Sequence, residues 1–186
     1  MNTKKRFKII SLDWDNVIYN LEQVNLDFVK EVYGVSEESV NIKTWSCYVD
    51  KYPEITSVWG DFSKYSRGEL IPGAINFVKE LKNRGYIVQI ITHSYESIIA
   101  EKELWMKINF PDIKIIHAKD KFLYSQNSIL IDDAQHNVEQ HLEYNKIKGE
   151  SILFDYNGNY GWAKGYKGHK AQSYEKALSI IEKINK

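Results

Sequence analysis

The chain carries one cysteine, Cys47, in 186 residues. A single thiol makes neither an internal disulfide nor a cysteine-based zinc site, and it fits a reducing compartment. Net charge is missing as well, because 25 Lys+Arg balance 25 Asp+Glu. That balance excludes a broadly basic protein that coats nucleic acid, and it excludes an acidic tail, while a local basic patch stays open. No apolar run approaches the length of a membrane span. After the basic start, Met1 to Lys8, only Ile9 and Ile10 precede Ser11 and Asp13, too few for the apolar core of a signal peptide. There is no internal repeat. A cytoplasmic globular protein without a membrane partner is the expectation.

Hydrophobic residues make up 43% of the chain, enough to bury a real core. The length suits one domain with a small insert. Aromatics reach 13%, with 13 Tyr and 5 Trp, which serves either an aromatic-rich core or a binding groove.

Phe7 to Leu12 is a short apolar run ending in Asp-Trp-Asp-Asn, the pattern of a buried strand and a polar loop. Leu21, Val24, Phe28, Val29 and Val32 recur at helical spacing before Gly34. Ser36 to Tyr65 is irregular, with room for one or two short helices. After Pro72-Gly73 the rhythm is regular. A helix over Ala74, Phe77, Val78 and Leu81 stops at Gly85, and a strand over Tyr86 to Ile91 ends in Thr92-His93-Ser94. Ile98, Ile99, Trp105 and Met106 mark a helix, and Ile113 to His117 a strand. Ser128 to Ile131 is a strand ending in Asp132-Asp133, with a helix to about Tyr144. Ser151 to Phe154 reads as the last strand, and Ser173 caps a final helix with Tyr174, Ala177, Leu178, Ile181 and Ile184 on its apolar face. Alternating strands and helices predict a Rossmann-like parallel sheet flanked by helices, an α/β fold. The expected division is a core of residues 1–20 and 71–186 with a helical insert at 21–70.

Four polar clusters follow four of these strands: Asp13 and Asp15; Thr92, His93 and Ser94; Lys119, Asp120 and Lys121; Asp132 and Asp133. The carboxyl ends of the strands of an open parallel sheet line one crevice. Carboxylates gathered there need a counter-charge. A hard cation such as Mg²⁺, which takes oxygen ligands and commonly binds a phosphate beside one or two carboxylates, supplies it. Lys and Thr suit the remaining phosphate oxygens. One Asp can attack phosphorus and a second, two residues on, can serve as general acid and then base. The chemistry inferred is metal-assisted phosphoryl transfer to Asp, then hydrolysis. Singly these residues are unspecific, since Asp suits turns and helix starts and a lone Lys is usually solvated. Their joint order at strand ends is the informative feature.

Asp13-Trp14-Asp15-Asn16-Val17, Thr92, Lys121 and Asp132-Asp133 resemble the four motifs of the haloacid dehalogenase superfamily. Leu70 to Ala74 (Leu-Ile-Pro-Gly-Ala), Asp120-Lys121 ahead of Ile129 to Asp133, and Ile152 to Asn157 (Ile-Leu-Phe-Asp-Tyr-Asn) are similar to the 5′(3′)-deoxyribonucleotidase family within it. The resemblance implies that Asp13 is the nucleophile and a Mg²⁺ ligand. It implies that Asp15 is the acid/base, with its backbone carbonyl on the metal. Asp133 would ligate Mg²⁺, Asp132 would support the metal shell, and Thr92 with the His93 N–H would hold phosphate. Lys121 would neutralise that phosphate and orient Asp13. The 21–70 insert would be a cap over a small phosphomonoester, and a homodimer stays open. Asn16 stands where the family usually has Gly, and Asn tolerates a left-handed backbone.

Two rival classes remain: a phosphatase for a sugar phosphate or a nucleic-acid 3′ end, and a non-enzymatic phospho-receiver. Neutral charge weighs against a long nucleic-acid substrate, and the receiver's acids come in another order. Trp45, Tyr48, Tyr52, Trp59, Phe62 and Tyr65 in the insert either stack on a nucleobase or pack the insert onto the core. Arg67 meets either a second phosphate or acids of the insert. Asp155 to Lys170, rich in Gly, Tyr, Trp and Lys, reads as a surface loop, with single-stranded nucleic acid as the other reading. The five histidines lack metal-ligand spacing.

Overall fold

In this computed structural model, residues 6–36, 40, 46–146 and 149–186 are described. Trp45 therefore lies outside the described residues, as does the Cys47 side chain. Six strands form one sheet in the order β3-β2-β1-β4-β5-β6, and all pairings are parallel. They are β1 (Ile9–Leu12), β2 (Ile87–Thr92), β3 (Lys114–His117), β4 (Ser128–Asp132), β5 (Glu150–Phe154) and β6 (Lys170–Ala171). The order differs from the 2-1-3-4-5 sheet of receiver-type folds, since β1 lies between β2 and β4. Near-continuous apolar runs are what a sheet covered on both faces requires; Ile129, Leu130 and Ile131 are all fully buried.

Eight helices flank or precede these strands among the described residues: α1 (Leu21–Tyr33), α2 (Ser46–Lys51), α3 (Thr56–Gly60), α4 (Phe62–Tyr65), α5 (Ala74–Asn83), α6 (Ile99–Asn109), α7 (Gln135–Tyr144) and α8 (Tyr174–Ile184). Asn20 caps α1, and Gly34 ends it in the left-handed region at φ 64°. Val32, expected on the buried face of α1, points outward; Asn25 is buried instead. The helices α5 and α8 meet through Phe77 and Tyr174, whose rings stack 4.6 Å apart. Among the described residues, the region from Ser36 to Tyr65 holds three short helices and a 3₁₀ turn at Pro53–Ile55.

The sixth strand corrects the expectation that Ser151 to Phe154 is the last. Only two residues long, it has no apolar periodicity to announce it. No helix among the described residues is long and apolar enough to cross a membrane.

Register levels the strand ends. Leu12 pairs with Ile90 on one side and Ile131 on the other, so Asp13 falls level with Ile91 and Asp132. Asp13 N–H still donates to the Ile131 carbonyl at 2.9 Å, extending the ladder one residue into the loop.

Candidate active site

The loop after β1 is folded by its own residues. Asn16 sits at φ 57°, the left-handed conformation expected of it. Its side chain also joins two clusters, donating to Asp133 Oδ2 at 3.0 Å and accepting from the Glu22 N–H at 2.7 Å. Trp14 is fully buried edge-on to Trp105 and Phe110. Asp13 thereby stays at the sheet's edge, its Oδ1 accepting from the Trp14 N–H at 2.7 Å.

Asp13, Asp132 and Asp133 each offer a carboxylate oxygen, and these oxygens lie within 4.8 Å of one another. All three residues are buried. Lys121 Nζ bridges two of them, 2.6 Å from Asp13 Oδ2 and 2.8 Å from Asp132 Oδ2. Asp132 Oδ1 accepts from the Ala134 N–H and the Asn137 amide at the start of α7. Three acids thus share one ammonium. Burial pushes the Asp13 carboxyl up to about 7; Lys121 opposes the rise, while Asp132 and Asp15 add to it. Burial likewise holds Asp133 well above the usual carboxylate range, with repulsion from Asp132 and Asp13 adding to it. For Lys121, burial works against the charge, but Asp13 and Asp132 outweigh it and hold the ammonium above the ordinary lysine value. An all-oxygen donor set short of positive charge fits a hard divalent cation.

Asp15 points to a second cation. Lys102 Nζ donates to Asp15 Oδ2 at 2.7 Å, to Thr92 Oγ1 at 3.1 Å and to the His93 carbonyl at 3.3 Å. Its side chain is 1% exposed. The Tyr65 hydroxyl donates to Asp15 Oδ1. Thr92 is itself fully buried, beneath a cavity wall made at this strand end by His93, Ser94 and Tyr95.

The cavity encloses about 290 Å³ and is bounded by Asp13, Asp15, Lys102, Lys121 and Asp133 at its acidic floor. Leu21, Trp59 and Tyr65 reach it from the segment between β1 and α5, and Lys119, His136 and Asn137 from the other side. The buried Ser94 hydroxyl has no hydrogen-bond partner among the described residues. Burial lowers the His93 pKa, and Lys121, Lys102 and Lys119 lower it further, which favours a neutral ring.

The segment after β5 backs the site. Trp162 Nε1 donates to the Asp133 carbonyl at 2.9 Å, Tyr160 Oη to the Asn16 carbonyl at 3.2 Å, and Tyr174 Oη to the Val17 carbonyl at 2.7 Å. Tyr160 and Trp162 stack 4.8 Å apart and are buried. The expected surface loop is therefore partly internal, and these two rings are not open to a base.

All seven residues expected at the site, Asp13, Asp15, Thr92, His93, Lys121, Asp132 and Asp133, gather at this end of the sheet. Lys119 joins the cavity wall and Asp120 does not. Arg67 pairs with Glu31 at 3.1 Å on the surface, the second of its two expected roles. Tyr48 packs inward, its hydroxyl on Glu22. Lys102 was missed by sequence reasoning, though a lysine on the face shared by Ile98 and Met106 was a signal.

None of the curated proteins compared matches the sequence. Among solved structures, a haloacid dehalogenase family hydrolase from Deinococcus radiodurans with bound phosphate and sodium superposes with a TM-score of 0.69 at 11% identity, covering 96% of this chain and 98% of that one. A haloacid dehalogenase-like hydrolase from Xanthomonas campestris gives 0.61 at 13% identity, covering 100% and 94%. These likenesses concern the fold. The family model described as 5′ nucleotidase, deoxy (Pyrimidine), cytosolic type C protein matches residues 7–184. Nearly the whole chain is matched, and it belongs to this family of haloacid dehalogenase-like phosphatases.

Proposed function

We propose that the protein is a Mg²⁺-dependent phosphomonoesterase acting on deoxynucleoside or nucleoside monophosphates through an aspartyl-phosphate. The observation that carries this reading is the trio Asp13, Asp132 and Asp133, with carboxylate oxygens within 4.8 Å of one another; Asp13 and Asp133 line the cavity and Asp132 is buried behind them. Asp13, Asp133 and the Asp15 backbone carbonyl would hold the ion, with Asp132 fixing the shell. When bound, the ion would neutralise phosphate charge and let the Asp13 carboxylate approach it.

An Asp13 oxygen attacks phosphorus, forming one P–O bond while the bond to the leaving alcohol breaks. Asp15 gives that alkoxide its proton. Asp15 then takes a proton from water, which attacks the phosphorus of the aspartyl-phosphate, and inorganic phosphate departs as the Asp13 carboxylate is restored. Lys121, the His93 N–H and the Ser94 hydroxyl, from residues that line the cavity, are the groups we assign to the phosphate oxygens, and Thr92, buried at the same strand end with its hydroxyl on Lys102, is assigned with them. The 21–70 segment is read as the cap, with Trp59 as the surface for a nucleobase. The family's printed name supports a deoxynucleotide and a cytosolic setting.

The test is phosphate release across a panel of nucleotides, sugar phosphates and 3′-phosphorylated oligonucleotides, with Mg²⁺ and with EDTA. Nucleoside monophosphates are expected to be the best substrates, with activity lost in EDTA. Preference for sugar phosphates or oligonucleotides would redirect the substrate assignment. A stable phospho-Asp that never turns over would overturn the enzymatic reading.

A further inference from the structure

Tyr65 ends α4, the last helix before the chain returns to the core at Leu70, and it is 2% exposed. Its hydroxyl reaches out of that segment to Oδ1 of Asp15, while Lys102, from the core helix α6, holds Oδ2 at 2.7 Å. The tyrosine is fixed in turn. The Tyr19 hydroxyl donates to the Tyr65 carbonyl, and the Tyr19 ring lies 5.0 Å from the Tyr65 ring. Lys102 Nζ lies 4.9 Å from the centre of the Tyr65 ring, within cation–π range. Gly68 makes this arrangement sterically feasible. Its N–H donates to Tyr19 Oη at 3.0 Å, and a Cβ at Gly68 would fall 2.5 Å from that oxygen.

We propose that Tyr65 is a positioning residue for Asp15, coupling proton transfer to the seating of α3 and α4 over the cavity. The inference rests on the reading of Asp15 as the acid/base. A carboxylate offers about four lone-pair sites. One donor on each oxygen fixes the plane of the carboxyl group and leaves the other sites for the proton it carries to and from the substrate. The two donors have different origins, one in the core and one in the inserted segment. Only when the segment is seated are both in place. Without the Tyr65 hydroxyl the Asp15 carboxyl is held at one corner and turns, and a misaligned proton donor loses much of its advantage.

Tyr65→Phe keeps the ring, its packing and the Lys102 contact, and removes the hydroxyl alone. The discriminating readout is kcat/KM for two leaving groups. A nucleoside alkoxide needs the proton from Asp15; p-nitrophenolate leaves without it. Tyr65→Phe is expected to lower kcat/KM about tenfold for a nucleoside monophosphate and by no more than about threefold for p-nitrophenyl phosphate. In an Asp15→Asn background, Tyr65→Phe is expected to cost nothing further on p-nitrophenyl phosphate, because its effect runs through that carboxyl. Equal losses on both substrates, no loss on either, or a loss that persists beside Asp15→Asn overturns the role of Tyr65. If the wild-type protein hydrolyses neither substrate with Mg²⁺, the phosphatase reading falls, and this inference falls with it.

Discussion

Lys102 Nζ stands 2.7 Å from Asp15 Oδ2, although the two residues are 87 positions apart. Both residues line the cavity, and the same ammonium donates to Thr92 Oγ1 at 3.1 Å. One buried cation therefore holds both the residue read as acid/base and the hydroxyl read as a phosphate ligand.

Lys102→Met retains the apolar stem and deletes the charge. It is expected to lower kcat for nucleoside monophosphates by about 100-fold. Lys102→Arg is not expected to restore it, since a planar guanidinium does not fit a space shaped for a compact ammonium. Steady-state kinetics of the two variants, with circular dichroism as a control for folding, decide the matter. Full activity in either would show that Asp15 is positioned without this lysine.

Asp13→Asn is expected to abolish turnover and leave the fold intact. It also tests the charge imbalance directly. In metal-free protein the Asp13 pKa is about 7 against an ordinary 3.8. Between those values the folded state holds a proton that the unfolded chain has released, so this residue's contribution to stability falls as pH rises. Asn carries no such penalty. In EDTA, the melting temperature of Asp13→Asn relative to wild type should be lowest near pH 4 and rise towards pH 8. A difference independent of pH would mean that Asp13 ionises in the folded protein as freely as in water.

The strand-end acids were legible because a parallel sheet puts every carboxyl end at one edge, so sequence order alone brings Asp13 near Asp132 and Asp133. Asn16 was legible for a conformational reason, and its φ of 57° bears that out. Lys102 was hidden by the same periodicity that revealed its helix. Counting apolar residues on α6 passes over the buried lysine on their face, which its tertiary contacts with Asp15, Thr92 and the His93 carbonyl explain. The segment from Asp155 to Lys170 was misleading in composition. Its glycines and lysines read as solvent-exposed, yet Tyr160, Trp162 and Ala163 are buried, with Tyr160 and Trp162 donating to the Asn16 and Asp133 carbonyls, and β6 is too short to carry a pattern.

His141 provides a second pH test, of opposite sign. It is fully buried, with Nδ1 2.7 Å from the Ser125 hydroxyl, and burial lowers its pKa from 6.5 to about 4. The folded state resists taking up the proton that the unfolded chain binds below about 6.5. Stability from this residue is therefore complete above pH 6.5 and is lost as pH falls towards 4, by about 3 kcal/mol in total. His141→Asn, which can still meet Ser125, should flatten the denaturation free energy over that interval relative to wild type. Parallel profiles for the two proteins would contradict the assignment.

Trp162→Phe tests whether the buried aromatic segment governs the proposed metal site. The indole N–H donates to the Asp133 carbonyl at 2.9 Å, behind the carboxylate proposed to hold the ion. Phe preserves the stacking with Tyr160 and removes that donor, so the Asp133 turn loses an orienting bond while the core stays filled. Partners behind metal ligands commonly contribute 10- to 100-fold in affinity, and the Mg²⁺ concentration for half-maximal activity is expected to rise about tenfold. At saturating Mg²⁺, kcat should recover to near the wild-type value, because Asp13, Asp15 and Lys121 are untouched. A Mg²⁺ titration at fixed substrate separates the two parameters. An unchanged midpoint, or a loss of kcat that no concentration of Mg²⁺ restores, would place Trp162 outside the metal's support.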